Sequence, residues 1–474
     1  MIHQFAKLWC LLVLLDTVNS SPAQTLFVNK EHRVRSDYSS KQNEQTKILK
    51  EFLESQKTST DVASLRQLQL NLINRLQQTE NFQPNGRIQA LEVLCANNPQ
   101  LCAIDPDTFK NNTELIESEG YPSEEHTAQT ADGFLLRAYR IPHGRTNKDL
   151  SGPRPVVFLQ HGLVSSSADW IMNFAHGSLG FILADAGYDV WMGNSRGNTW
   201  SRRHVSLNQS DPKFWDWSYD EMAKYDLTAF IDYALGATNQ ESLIYVGHSQ
   251  GTTMMFALLS TNPDYHKKVK LFVALAPVGE ITYARSPITL LAGVPDALLL
   301  TIFGRKDFLA GDFFTEAVTD TICQDVLLRG LCLSTLHLLM GPDSGQHNLN
   351  TSRLAVYVHH AAGASTKDMI HFAQVYRAEN FQMYDHGAKE NMRRYNQTTP
   401  PDYDVTKVNV PVLAFTAPED WLADPRDSGP LLAKLPDLRL AIDVRGWNHV
   451  DFVWGLDAPH YCYHPMVEWF QKNL

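Results

Sequence analysis

Positive charge is what this chain is short of: 41 Lys and Arg stand against 52 Asp and Glu, for a formal net charge of -11 and a pI near 5.9. An anionic surface repels phosphate backbones and anionic headgroups on average, which argues against nucleic acid and against a polybasic membrane anchor. Contact with lipid, if made, is therefore expected to be apolar. No stretch beyond the N-terminus approaches a membrane span; Leu331 to Met340 is short and contains His337. Internal repeats and long low-complexity tracts are missing as well. What remains is 43% apolar and 20% charged, a globular composition with a large core. The length of 474 residues suits one α/β core with insertions, or two to three domains.

The N-terminus has the one long apolar run. Lys7 precedes Leu8 to Leu15, and small residues follow at Ser20 and Ser21, with Val18 three places before a cleavage after Ser20. Residues 1–20 are thus expected to be a secretory signal peptide, which directs the chain to the extracellular space or the lysosome. Cysteine is scarce but usable on that route. Cys10 lies in the leader, so five of the six cysteines remain and at least one has no internal partner. Neighbouring pairs, Cys95 with Cys102 and Cys323 with Cys332, are expected. Each would close a loop of about ten residues and stabilise by about 2–3 kcal/mol. Cys462 is then the odd thiol, read as a buried small hydrophobe. Acceptors for N-glycosylation occur at Asn111, Asn208, Asn350 and Asn396, while Pro263 disqualifies Asn262.

Residues 21–104 are rich in Gln, Asn, Ser and Lys, with one helical stripe at Leu65, Leu68, Leu72 and Leu76. They are read as a helical arm or propeptide. From 105 on, short apolar strands alternate with helical stretches: 155–160, 188–192, 243–246, 271–276, 410–415 and 438–444. Runs that are apolar on both faces imply a mainly parallel sheet covered on both sides, an α/β fold. The gap between Ala276 and Val410 is too long for one crossover. It reads as a mostly helical cap inserted at 280–404 into a core formed by 105–279 and 405–474.

The strand at 243–246 runs straight into Gly247-His248-Ser249-Gln250-Gly251, and a helical stretch from Thr252 to Ser260 follows. G-x-S-x-G is weak alone and specific between a buried strand and a helix. The turn is sharp enough to strain the serine backbone, and side chains at the flanking glycines would collide. Ser249 then stands clear at a helix N-terminus as a nucleophile, in need of a base held by a third group. In this chain order the acid and the base follow later strands. Asp420 sits just beyond the strand ending near Thr416, with Glu419 and Asp424 as rivals. His449 is the one histidine in the loop after the last strand. Two backbone donors are needed for a developing oxyanion, each worth about 2.7–4 kcal/mol. The amide of Gln250 supplies one, and the loop His161-Gly162-Leu163 after the first core strand supplies the other, through Leu163. His161 precedes the nucleophile and is read as a brace.

With these residues in place, residues 105–474 resemble the acid lipase family of the α/β-hydrolase fold, which includes gastric and lysosomal acid lipases. The resemblance rests on Gly120-Tyr121-Pro122, Phe158 to Leu163, Gly193 to Thr199, Gly247 to Thr253, Asp420 to Pro425 and Asn448 to Phe452. It implies Ser249, Asp420 and His449 as the catalytic triad and Leu163 with Gln250 as oxyanion donors. It also implies a cap disulfide between Cys323 and Cys332, and a glycan at Asn350. The implied activity is hydrolysis of fatty-acyl esters, triacylglycerol or sterol ester, with no metal or organic cofactor. The cap, with Leu290, Leu291, Leu298, Leu299, Leu300, Ile302, Phe303, Leu338 and Leu339, would cover an apolar acyl tunnel and meet a droplet or micelle surface. Two departures stand out: Ala417-Pro418 replaces the glycine pair common before the acid, and the mammalian lipases have no counterpart of 21–104. A silent lipid-binding protein on the same scaffold, and an acyltransferase with the same triad, are the competing expectations.

Overall fold

The computed structural model describes residues 105–149, 152–308, 323, 329–342 and 348–474. The leader, the arm at 21–104 and the Cys95–Cys102 pair lie outside the described residues.

The strands in chain order are β1 (Glu124–Gln129), β2 (Leu135–Ile141), β3 (Val156–Gln160), β4 (Asp189–Gly193), β5 (Leu243–His248), β6 (Val269–Leu275), β7 (Asp307–Phe308), β8 (Ala364–Ser365), β9 (Val412–Thr416) and β10 (Leu438–Asp443). Eight of them form one sheet in the order β1-β2-β4-β3-β5-β6-β9-β10, while β7 and β8 pair separately. Every pair from β4 through β10 is parallel, and β2 pairs antiparallel with β1 and β4. The six parallel strands are those the apolar runs announced. The β1–β2 hairpin was not among them, and its sequence explains why. Glu124 to Gln129 is polar and mostly open to solvent, with only Ala128 buried. An edge strand of that kind carries little hydrophobic signal.

Strand alternation divides the core in two. Val157, Leu159, Ile244, Val246, Val273 and Leu413 pack on one face of the sheet, and Val156, Phe158, Leu243, Tyr245, Phe272 and Val412 on the other. Successive residues point to opposite faces, so a strand feeding two cores must be apolar throughout. Each such side chain stabilises by about 1.5–3 kcal/mol when fully buried.

Between β6 and β9 lies the inserted cap, mostly helical: Asp296–Phe303, Arg329–Met340, Leu354–His359, Thr366–Ala378 and Ala388–Tyr395. Together with the sheet it gives the α/β-hydrolase architecture. Leu291, Leu299 and Phe303 join Val294, Phe308 and Ile370 in a small core of the cap's own, with Leu290, Leu300 and Ile302 packed against it. Much of the leucine wealth therefore holds the cap together. The sheet's carboxyl edge carries the loops after β3, β5, β9 and β10, where ligands bind in open α/β sheets.

Candidate active site

The chain leaves β5 at His248 and enters the helix Gln250–Thr261 with Ser249 between them. Ser249 has φ 53 and ψ -121, a backbone state of the kind that costs about 1–3 kcal/mol and persists only when its surroundings enforce it. They do so here. The Ser249 N–H donates to the Leu275 carbonyl at 3.0 Å, and the Ser249 carbonyl accepts from Thr252 N–H at 2.8 Å and its hydroxyl at 2.6 Å. A Cβ on Gly247 would stand 2.7 Å from the Gly251 carbonyl carbon, and one on Gly251 would stand 2.5 Å from the Gln160 oxygen. Backbone passes too close for any side chain at either position.

The structure brings Ser249, His449 and Asp420 into one line. The Ser249 Oγ is 2.8 Å from His449 Nε2, and His449 Nδ1 is 2.8 Å from Asp420 Oδ2. A carboxylate only accepts, so Nδ1 carries the proton and Nε2 is free to take one from the serine. Asp420 is fully buried. Its second oxygen accepts from the Leu422 and Ala423 N–H groups at 2.8 and 2.7 Å, which fixes the carboxylate plane. Of its rivals, Asp424 caps the helix Pro425–Ala433 and pairs with Arg285 and Arg426. Arg426, ahead of Arg285, holds its carboxyl below the usual range against the opposing effect of burial.

Gly162 packs against the serine: a Cβ there would meet the Ser249 Cβ at 3.0 Å. That approach brings the loop bearing Leu163 beside Ser249, and both residues line one cavity. His161 is buried and neutral, its pKa lowered to about 4 by desolvation. Its Nδ1–H donates to the Gly162 carbonyl at 2.7 Å, and its Nε2 accepts from Ser195 N–H at 3.1 Å and from the Asn198 amide at 3.3 Å. It braces the loop. The Gly193 to Thr199 stretch is a structural hub: Arg196, 1% exposed, is paired with Asp226 and Asp132.

Sequence reasoning passed over His248. Its Nε2 donates to the His449 carbonyl at 2.9 Å, which ties the base loop to the elbow. Burial, then the neighbouring His449, lowers its pKa to about 3. Nothing local in the sequence says what this imidazole reaches, because its partner lies 201 residues away.

A cavity of about 290 Å³ opens at Ser249 and His449. Its wall is apolar, with Ile281, Ile288, Leu291, Leu336, Met340 and Phe372 from the cap and Val453 from the core. Of the cap leucines singled out from the sequence, only Leu291 lines it; Leu298 and Leu338 are 48% and 38% exposed. One carboxyl belongs to the lining, that of Asp169, which burial pushes up to about 6.

Cys323 and Cys332 are joined by a disulfide, and Cys462 is buried and free, its thiol pushed up by burial. Asn111, Asn208 and Asn396 are exposed and Asn350 is half-buried. Asn111, Asn208 and Asn350 use their side-chain oxygens to cap local turns.

Residues 155–456 match the family model of the alpha/beta hydrolase fold, and residues 112–174 that of a partial alpha/beta-hydrolase lipase region. The lysosomal acid lipase/cholesteryl ester hydrolase of Homo sapiens is 46% identical over 375 residues, covering 79% of this chain and 94% of that protein. The gastric triacylglycerol lipase of Rattus norvegicus is 46% identical over 371 residues, 78% of this chain and 93% of that protein. Lipase member N of Mus musculus is 46% identical over 366 residues, 77% and 91% respectively.

Proposed function

This chain belongs to the acid lipase family of α/β-hydrolases and is by that kinship an ester hydrolase, and from that premise we propose that it cleaves fatty-acyl esters through an acyl-enzyme on Ser249. The observation that carries the reading is the hydrogen-bonded line from Ser249 through His449 to Asp420, with 2.8 Å at each step, at the foot of an apolar cavity. Ser249 Oγ attacks the ester carbonyl as its proton passes to His449 Nε2. Asp420 holds the imidazole in register and stabilises its charge. The carbonyl oxygen, now negative, is received by the N–H groups of Leu163 and Gln250. The alcohol leaves with the proton from His449, and water resolves the acyl-enzyme by the same route. The apolar wall suits an acyl chain, and triacylglycerol and sterol ester are the two substrate classes named in the relatives.

The secretory route, towards lysosome or exterior, is the proposed destination, in keeping with the 8–15 apolar run. Among the described residues no helix is long and apolar enough to cross a membrane. Exposed Tyr283, Leu298 and Leu338 on the cap are the proposed contacts with a lipid surface. The test is Ser249→Ala. Turnover of triacylglycerol, sterol ester and short esters between about pH 4 and pH 8 should fall by about 10⁶-fold, as in a serine protease, and fluorophosphonate labelling should vanish. Near-normal turnover in the variant ends the assignment. A wild-type protein that takes no label is a lipid binder, and one whose acyl group passes to an added alcohol in preference to water is a transferase.

A further inference from the structure

We infer that Gly341 is a positioning residue for the reaction proposed above: the backbone at the end of the cap helix Arg329–Met340 holds the acid loop and the base loop at their working separation. The inference rests on that reading of Ser249, His449 and Asp420. The Met340 carbonyl accepts from two N–H groups, that of Trp421 at 3.2 Å and that of His449 itself at 3.3 Å. One residue on, the Gly341 carbonyl accepts from the Asn448 side chain at 3.2 Å. The same two peptide groups thus grip the residue after the acid, the base, and the residue before the base.

Only glycine can sit there. Gly341 has φ +117, and a Cβ would stand 1.9 Å from the Glu419 carbonyl oxygen and 3.3 Å from the Asn448 Cβ. The obstruction is backbone, which cannot swing aside as a flexible side chain can, and φ in that region is strained for other residues.

The sheet supports the base less than it supports the acid. The acid follows β9 and the base follows β10, the edge strand, whose residues alternate between exposed and half-buried. Displacing a reacting group by about 1 Å can cost about 100-fold in rate, so whatever sets the spacing of these loops acts on turnover. Met340 also lines the acyl cavity. The residue that touches the acyl chain is therefore the one whose carbonyl holds both loops, and the cap acts on the chemistry as well as on access to it.

The experiment compares full-length wild type, Gly341→Ala and Asn448→Asp on p-nitrophenyl butyrate, a soluble ester that needs no lipid surface, alongside Tm and the rate of fluorophosphonate labelling. Asn448→Asp keeps an acceptor for the Val450 N–H but replaces the donor to the Gly341 carbonyl with a buried carboxylate oxygen that repels it. For Gly341→Ala, kcat should fall about 100-fold with KM changed by less than about threefold, and labelling should slow in proportion. Asn448→Asp should lose about tenfold in kcat, again at constant KM. Wild-type kcat and labelling in a folded Gly341→Ala overturn the inference, as does a lowered Tm with kcat intact. If Gly341→Ala does not fold, Asn448→Asp decides: reduced kcat at constant KM supports the inference and wild-type kcat overturns it. Wild-type protein that neither labels nor hydrolyses any ester overturns the functional reading itself, a distinct result.

Discussion

Ser249 and the Leu163 and Gln250 amides proposed to receive the oxyanion are held by chain close in sequence or on neighbouring central strands, whereas Asp420 and His449 stand on the loops after the last two strands, β9 and β10, and are gripped also from outside the sheet. In the first half the constraint is steric: Gly162, Gly247 and Gly251 each lie where a Cβ would strike backbone or the serine itself. In the second half it is a set of hydrogen bonds from the cap and from His248. Arg285, at the start of the cap, adds its own grip by donating to the Pro418 and Asp420 carbonyls at 3.0 and 3.3 Å. The backbone of the proposed nucleophile is thus held by the core alone; the loop after Leu163 is tied to the cap by the Ala362 N–H, which donates to the Val164 carbonyl at 2.9 Å, and the proposed acid–base pair is held by core and cap together. The largest expected effect that isolates the second half is Asp420→Asn. The asparagine oxygen can still accept from Leu422 and Ala423, so Tm should stay close to that of wild type. The amide offers a donor to His449 and favours the wrong tautomer, and kcat should drop about 10⁴-fold. Loss of fold in this variant would mean that Asp420 is part of the scaffold first.

The first half breaks differently. Gly251→Ala would drive a methyl group to 2.5 Å from the Gln160 oxygen and 3.0 Å from the His161 oxygen, both backbone atoms of β3 and the loop after it. Such overpacking against immovable groups destabilises by about 3 kcal/mol or more. Chemical denaturation should show the loss directly, with activity per folded molecule changed far less than in Asp420→Asn. If Gly251→Ala keeps wild-type stability, the elbow is looser than its geometry requires and the contrast between the halves fails.

The same contrast explains what could be read from the sequence. The elbow is contiguous, its glycines and serine lie within five residues, and steric rules alone assign their roles. The parallel strands were legible because burial on both faces leaves continuous apolar runs. Chain order favoured Asp420 for the acid with Glu419 and Asp424 as rivals, and the resemblance in the longer stretch strengthened that choice. Met340 and Gly341 were invisible: a helix ending in glycine is ordinary, and nothing near it says that its carbonyls meet loops about 80 to 110 residues further on. His248 was likewise hidden, since its partner is the His449 backbone, 201 residues away. The tunnel-lining role expected of the cap leucines holds for Leu291 and not for the others, for a related reason. Helical periodicity marks a face as buried, and it does not say whether the face meets a cavity or the cap's own core.

Both halves look onto one cavity, and Asp169 is the one carboxyl among the described residues that line it. It sits on a 3-10 turn of the core after β3, accepts from the Ser165 hydroxyl, and accepts from Trp454 Nε1 at 3.0 Å. Desolvation is the dominant influence and pushes its pKa up to about 6 from 3.8, with the Ser165 and Trp454 bonds opposing. Below about pH 6 the group is neutral and no described residue lining the cavity carries a charged carboxylate; above it, a negative charge faces any bound acyl chain or fatty-acid product. KM for a medium-chain ester should therefore rise as pH passes through about 6 in wild type, by about three- to tenfold, equivalent to about 0.7–1.4 kcal/mol. Asp169→Asn keeps the shape and an acceptor for Trp454, and its KM should stay flat across that range. Stability follows the same sign. A folded-state pKa above the unfolded one contributes fully below about pH 4 and is lost as pH rises through about 6, so the Tm advantage of Asp169→Asn over wild type should grow between pH 4 and pH 7. Parallel KM profiles in the two proteins would show that substrate never senses this carboxyl, and that the cavity's pH response belongs to the acid–base half alone.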